Sequence, residues 1–452
     1  MKNLEIEEIY RLYIENSQGV CTDTRNILPG CMFFALRGET FNGNDFAAAA
    51  LEKGAAYAVV DEPGVEELLP DSIILVEDVL HTLQQVARYH RKQHRIPVIA
   101  LTGTNGKTTT KELVAACLRT KYNVVATEGN LNNHIGVPLT LLRINADTQA
   151  AVIEMGASNP GEIGLLVNLV CPSFGLVTNV GKAHLQGFGS LEGVMATKGE
   201  LYDYLNEHRK IAFVNMDNPL LVEMASKRER MQLVPYGVSN DGAGIVVDTG
   251  GSPFLSMTIP NPSYSAVEEN REPEWITINT NLIGAYNSDN VLAAMCVSSY
   301  MDVPAADAVA AIGAYVPSNN RSQLADTGRN RLVVDAYNAN PASMKASIEN
   351  FASLKMPSKV LLLGDMLELG PDSVAEHVEI LRLAVSKGFG KIYLVGDEFA
   401  AAGKALDDLS GMEFFKDSLL LQEHFRGNPL SGCSVLIKGS RGKRLERVIE
   451  VL

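Results

Sequence analysis

The chain is poor in several features that would mark large protein classes. It has one tryptophan, and aromatic residues make up 6% of its 452 positions. No apolar run approaches the ~18 residues that a membrane-crossing helix needs, so membrane insertion is not expected. The six cysteines, Cys21, Cys31, Cys117, Cys171, Cys296 and Cys433, form no CxxC pair and are too sparse for a disulfide scaffold. Mostly buried thiols in a reducing cytosol are the expectation. The opening residues, Met1 to Glu8, are too acidic and too short of apolar side chains for a signal peptide. Basic charge is scarce as well: 39 Lys and Arg stand against 53 Asp and Glu, a net of −14. That field excludes nucleic acid or an anionic membrane surface as the main partner. It leaves room for a small anionic substrate, because a helix N-terminus binds phosphate locally inside an acidic protein. There is no internal repeat and no low-complexity tract.

What is present is the composition of a folded cytoplasmic enzyme, 46% hydrophobic and 20% charged. At ~150 residues per domain the length suggests about three domains. In residues 1–96, apolar strands at 32–36 and 57–60 alternate with helices at 46–53 and 82–94. A second unit, 97–316, opens with a buried-type strand at 98–101, a Gly-rich turn and a helix over 108–119. Further strands follow at 151–153, 175–178 and 212–214. Strands alternating with helices predict a doubly wound parallel sheet. Between about 243 and 282 the pattern changes to alternating stretches at 255–259 and 275–278, separated by a polar loop with Pro262 and Pro273. This reads as a small antiparallel appendage, with Trp275 packed in it. Helices at 288–300 and 304–315 follow, and residues 317–320 form the expected hinge. Strands at 332–335, 359–363, 391–395 and 434–437 then predict a Rossmann-like third α/β domain, 317–452.

The segment LTGTNGKTTT (101–110) carries the strongest chemistry. It follows a strand and opens a helix, so glycine-freed N–H groups and the helix N-terminus converge where a phosphate would sit. Gly103, Thr104, Asn105, Gly106, Thr108 and Thr109 would cradle the nucleotide, with Lys107 on its β- and γ-phosphates and the Thr108 hydroxyl on Mg²⁺. The usual GxxxxGK[ST] spacing is broken, because Leu101 stands where the first glycine belongs. Glu154 ends an apolar strand, where a carboxylate suits hard Mg²⁺.

TGTNGKTTT resembles the phosphate loop of the Mur ligase family, which makes ATP-driven amide bonds in peptidoglycan precursor assembly. GNLNNHIGVP (129–138), EMGA (154–157), NVGKAHL (179–185), DAYNANP (335–341), LGDMLELG (363–370) and KGSRG (438–442) extend the resemblance over nearly the whole chain. It implies three units: 1–96 for the UDP-sugar, 97–316 for ATP, and 317–452 for closure and the dipeptide. The implied reaction joins D-alanyl-D-alanine to a UDP-MurNAc-tripeptide, with ATP and Mg²⁺, in a cytoplasmic monomer. His184 resembles a second metal-site ligand, although a lone His is more often structural. Lys198, by spacing alone a solvated helix lysine, resembles a lysine that relatives carboxylate to help hold Mg²⁺. Asn287 resembles the adenine contact, its plain alternative being a helix cap. Arg321 resembles an arginine reaching the γ-phosphate across the domain boundary, and Asp335 the ribose carboxylate. The resemblance places Asn132, Asn133, Tyr337, Asn338 and Asn340 on the substrates, and Thr22 and Thr24 on the uridine nucleotide. Asn44 stands where histidine is frequent and is not carried over. Two other readings remain: a folylpolyglutamate-type ligase, and a non-catalytic nucleotide switch.

Overall fold

The computed structural model describes residues 4–65, 71–238, 245–248, 252–261, 274–318 and 320–452. The polar loop with Pro262 and Pro273, and Asn319 of the expected hinge, lie outside the described residues. Three α/β domains follow one another along the chain.

The apolar run at 98–102 forms the strand Val98–Thr102, buried at every position, near the middle of a six-stranded parallel sheet. Burial on both faces explains why it reads as continuous rather than alternating hydrophobicity. The next strands, Val124–Ala126 and Ala150–Glu154, go to one side of it, and Phe174–Val177 and its successors go to the other. That reversal leaves a crevice at the carboxyl end of Val98–Thr102, where α/β sheets bind ligands.

The first domain has a small parallel sheet, Val20–Cys21, Met32–Phe34, Tyr57–Val60 and Ile73–Leu75. The appendage is antiparallel as expected, Phe254–Pro260 pairing with both Val246–Asp248 and Trp275–Ile283. Alternation is visible in its burial: Leu255, Met257 and Ile259 point inward. Trp275, expected to pack there, is instead 44% exposed at the strand's outer end. In the third domain five parallel strands carry one antiparallel edge strand, Gln323–Asp326.

The two boundaries between domains are built differently. At the first, the helix Val79–Gln93 is shared property. One apolar cluster runs unbroken from Ile9, Phe34 and Leu83 to Val137, Ile163 and Val170 of the middle domain. Buried Arg91 donates to the carbonyls of Val170 (3.0 Å) and Cys171 (3.2 Å), which end the helix Glu162–Val170. His90 Nε2 meets the Ile144 carbonyl at 2.7 Å, and the Tyr13 hydroxyl donates to Leu142 O at 2.8 Å. Among the described residues, the second boundary is mainly polar. Asn340 Nδ2 donates to Asn105 Oδ1 at 2.7 Å, and Lys182 pairs with Glu376 at 2.8 Å. Its apolar contact is the cross-strand pair Phe254 and Ile283 at the end of the appendage, which packs against the core of the third domain.

Candidate active site

The phosphate loop begins two residues later than the usual spacing implies. Leu101 is buried inside the strand, so the turn starts at Gly103. Gly103 has φ +144°, and a Cβ there would lie 2.0 Å from the Thr178 hydroxyl; Gly106 has φ +78° and heads the helix Lys107–Leu118. Both positions need glycine for conformation and for space, a Cβ at Gly106 falling 2.5 Å from Asn290 Oδ1. The loop is braced from the neighbouring strand end. Asn179 accepts from the backbone N–H of Thr104 through its carbonyl and from that of Asn105 through Oδ1, both at 2.9 Å. Thr178 Oγ1 donates to Asn105 O at 2.6 Å.

Glu154 ends the adjacent strand at 1% exposure. Its Oε1 accepts from the Thr108 hydroxyl (3.2 Å) and from Asn132 Nδ2 (2.8 Å), while its backbone N–H donates to Thr127 Oγ1 (2.9 Å). The other oxygen, Oε2, is buried with no hydrogen-bond partner. A buried carboxylate oxygen left bare costs free energy unless a cation completes it. This pair of oxygens beside a phosphate loop therefore fits Mg²⁺, with Thr108 and Glu154 as its protein ligands.

Basic side chains gather around Lys107. Lys107 Nζ donates to the carbonyls of Gly103 (2.7 Å) and Thr104 (3.0 Å). Burial lowers its pKa to about 8; Glu154 opposes that shift and Arg321 adds to it. Lys198 is not the solvated lysine that spacing alone suggests. It is 2% exposed, with Nζ 3.4 Å from Ala157 O and over the Phe188 ring. Burial first, and then Lys107, bring its pKa down to about 7. His184 sits in a left-handed turn (φ +50°) with Nδ1 bonded to Glu368 of the third domain. Its pKa is lowered by burial, against the pull of Glu368, and further by Lys107 and Lys198. Mutually repelling cations gathered in one place are stabilised by an anion, and phosphate is the anion that the loop selects.

The third domain closes the far side. The Arg321 guanidinium sits over Tyr337, 3.7 Å from its ring centroid. Asp335 accepts from Lys438 (2.5 Å) and from the Ser347 hydroxyl (3.0 Å). Asn340 caps the helix Pro341–Ser353 while its amide holds Asn105. Asn338 turns inward to its own chain, its Oδ1 accepting from Ala339 N–H. Asn287 precedes the helix Ser288–Tyr300 but makes no side-chain cap bond. Its amide instead joins Ile283 O and Asn290 Nδ2, both at 2.8 Å.

A cavity of about 1300 Å³ gathers most of the residues singled out in the sequence. Residues 104–109, Asn132, Asn133, Glu154, His184, Asn287, Arg321, Asp335, Tyr337, Asn338 and Asn340 all line it. Gly103 turns behind the wall and Lys198 lies buried off it. Thr22 and Thr24 are not brought to this cavity. Asn44 is buried scaffolding, its amide donating to Asn42 and Asp61. Sequence reasoning missed the roles of Asn179, Glu368 and Lys438, although all three stand in motifs it had singled out.

Sequence families described as Mur ligase family catalytic domain, Mur ligase middle domain, and Mur ligase glutamate ligase domain match residues 16–96, 101–298 and 320–441. The chain is 33% identical to a UDP-N-acetylmuramoyl-tripeptide–D-alanyl-D-alanine ligase of Bacillus subtilis and 35% identical to that of Escherichia coli. Each alignment covers 96% of this chain and 93% of the relative. A crystal structure of the MurF ligase of Thermotoga maritima in complex with ADP superposes with a TM-score of 0.81 at 26% identity, covering 96% of this chain and 97% of that one. With its braced phosphate loop, its bare buried carboxylate and its three domains in this order, the chain belongs to the Mur ligase family.

Proposed function

We infer that the protein is an ATP-dependent carbon–nitrogen ligase that joins D-alanyl-D-alanine to UDP-MurNAc-tripeptide in peptidoglycan precursor synthesis, releasing ADP and phosphate. The observation that carries this reading is the cavity itself: a phosphate loop and metal carboxylate on one domain face Arg321, Tyr337 and Asp335 on the next. A carboxylate resists attack by an amine because its leaving group would be oxide. Transfer of the γ-phosphoryl group to the tripeptide's terminal carboxylate forms an acyl phosphate and frees ADP. The dipeptide amine, having lost a proton, then attacks the acyl carbon, and phosphate leaves. Lys107 and Arg321 spread the charge of the transferring group, worth several kcal/mol in such reactions. Thr108 and Glu154 would hold Mg²⁺, which would supply charge neutralisation at the phosphate oxygens. Asn287 and Asp335 are proposed to take the adenine and ribose. Asn132, Asn133, Tyr337, Asn338 and Asn340 would face the substrates, and Thr22 and Thr24 would take the uridine nucleotide. The corresponding division is 1–96, 97–316 and 317–452, in a cytoplasmic monomer.

His184 and Lys198 are proposed to complete the metal side, Lys198 as its carbamate. An amine with a pKa of about 7 is substantially neutral at physiological pH, and the neutral form is the one that attacks CO₂. Lys198→Ala is then expected to lose activity that acetate partly restores, and Lys198→Arg is not. Wild-type activity in Lys198→Ala would end this assignment. The function as a whole is tested by ATP hydrolysis, which must require both UDP-MurNAc-tripeptide and D-alanyl-D-alanine. Turnover with folate and glutamate instead would point to the folylpolyglutamate-type alternative, and turnover with neither pair to a nucleotide switch.

A further inference from the structure

The last strand of the third domain, Ser434–Lys438, does not join an edge of its sheet. It inserts between Arg331–Asp335 and Lys359–Gly364, parallel to both. The register sets Asp335 beside Lys438, each the final residue of its strand. Covered from both sides, Lys438 is only 2% exposed. An ammonium in such a place is costly unless its protons find acceptors. Its Nζ donates to Asp335 Oδ2 at 2.5 Å and to Asn338 O at 3.4 Å.

The two oxygens of Asp335 are used unequally. The Ser347 hydroxyl, on the helix Pro341–Ser353, also donates to Oδ2, at 3.0 Å. Oδ1 accepts no hydrogen bond among the described residues, although Asp335, Ser347 and Lys438 all line the large cavity. Both oxygens of a carboxylate carry lone pairs, so one is fastened here and the other is left for a ligand. Neutralising a buried lysine does not call for Ser347, whose hydroxyl adds nothing to the charge balance. What a second donor on the same oxygen adds is direction.

We propose that Lys438 and Ser347 are positioning residues, which fasten Oδ2 of Asp335 so that Oδ1 is presented to the ribose hydroxyls of the nucleotide. This inference rests on the assignment of Asp335 to the ribose in the reading above. A carboxylate oxygen already held toward a diol favours nucleotides that carry those hydroxyls. In a side chain free to rotate, the cost of ordering it would offset part of the same interaction. The role is therefore one of discrimination, and it links the sugar to the KGSRG turn, which Lys438 opens.

The experiment measures Kd by calorimetry for ATP and for 2′,3′-dideoxy-ATP, which lacks both hydroxyls, with wild type, Lys438→Met and Ser347→Ala. The wild type is expected to bind ATP about 10- to 100-fold more tightly than the dideoxy nucleotide, the scale of hydrogen bonds to a charged group. Lys438→Met should weaken ATP and leave the dideoxy nucleotide nearly unchanged, so that the ratio falls below about 5-fold. Ser347→Ala should narrow it by less, since a neutral donor is lost. A merely structural salt bridge would move both nucleotides together. An unchanged ratio in either variant, or equal weakening of both nucleotides by Lys438→Met, overturns the positioning role. If Lys438→Met does not fold, Ser347→Ala decides alone by the same ratio. Equal affinity of the wild type for the two nucleotides would instead overturn the ribose assignment beneath the proposal, and failure to bind either would overturn the ATP-dependent reading.

Discussion

The two domain boundaries show how one chain makes a fixed joint and a working one. At the first, Leu83, Val86 and Ala87 are wholly buried in a cluster that continues into the middle domain, and Arg91 staples the carbonyls behind it. Separating these domains would expose a continuous core, at roughly 25 cal/mol for each Å² of apolar surface. At the second, neutral amides and a partly exposed ion pair meet beside a large cavity, and the apolar contact described there is Phe254 with Ile283. The same polypeptide therefore joins its first two domains through one shared core and its third through mainly polar contacts.

This contrast predicts which changes hit turnover and which hit stability. The largest effect is expected for Lys107→Ala, which should lower ligation by at least ~100-fold while the melting temperature stays put. Unchanged turnover at saturating ATP would remove the phosphate-loop assignment; a parallel loss of stability would blur the distinction. Arg91→Ala should do the reverse. Stripping a buried cation from carbonyls it satisfies is expected to cost about 3 kcal/mol in urea unfolding, with KM for ATP preserved in the folded fraction.

An acid titration sharpens the same point. Burial, against the pull of the Ile144 carbonyl and helped by His94, lowers the His90 pKa to about 4. Between that value and its unfolded value near 6.5 the unfolded chain binds more protons, so stability falls as pH drops through this window. The loss amounts to about 3 kcal/mol once pH is below both values. His90→Gln should flatten the dependence, and an equally steep curve in the variant would locate the acid sensitivity elsewhere. The smallest effect belongs to Lys182→Ala at the working boundary, below about 1 kcal/mol and smaller still in high salt. A shift of several degrees in its melting temperature would show the second boundary to be more rigid than its chemistry suggests.

Much of this plan was legible in the sequence, and the exceptions have physical reasons. The strands 57–60 and 98–101 and the helix 288–300 stood out because burial or periodicity ran their full length. Val20–Cys21 and Ile73–Leu75 were missed because two or three residues carry no period. Gln232–Tyr236 was hidden by Pro235, which an edge strand tolerates. At the site, Lys107 and Glu154 could be read because local context, a turn before a helix and a strand end, sets their role. Glu368 could not, since it reaches His184 across 184 positions that only the fold brings together. The burial of Lys198 was likewise invisible, because its helix face is decided by what packs on it.

The shared core of the first boundary also bears on how the protein is made. The helix Val79–Gln93 leaves the ribosome well before its partner helix Glu162–Val170 exists. Roughly 75 further residues must be synthesised first, which takes about 4–15 s at 5–20 residues per second. During that interval the middle-domain share of the cluster, including Ile163 and Val170, is missing from around Leu83 and Val86. The N-terminal segment is thus born with a sticky side, and nascent-chain chaperones have a defined window in which to hold it.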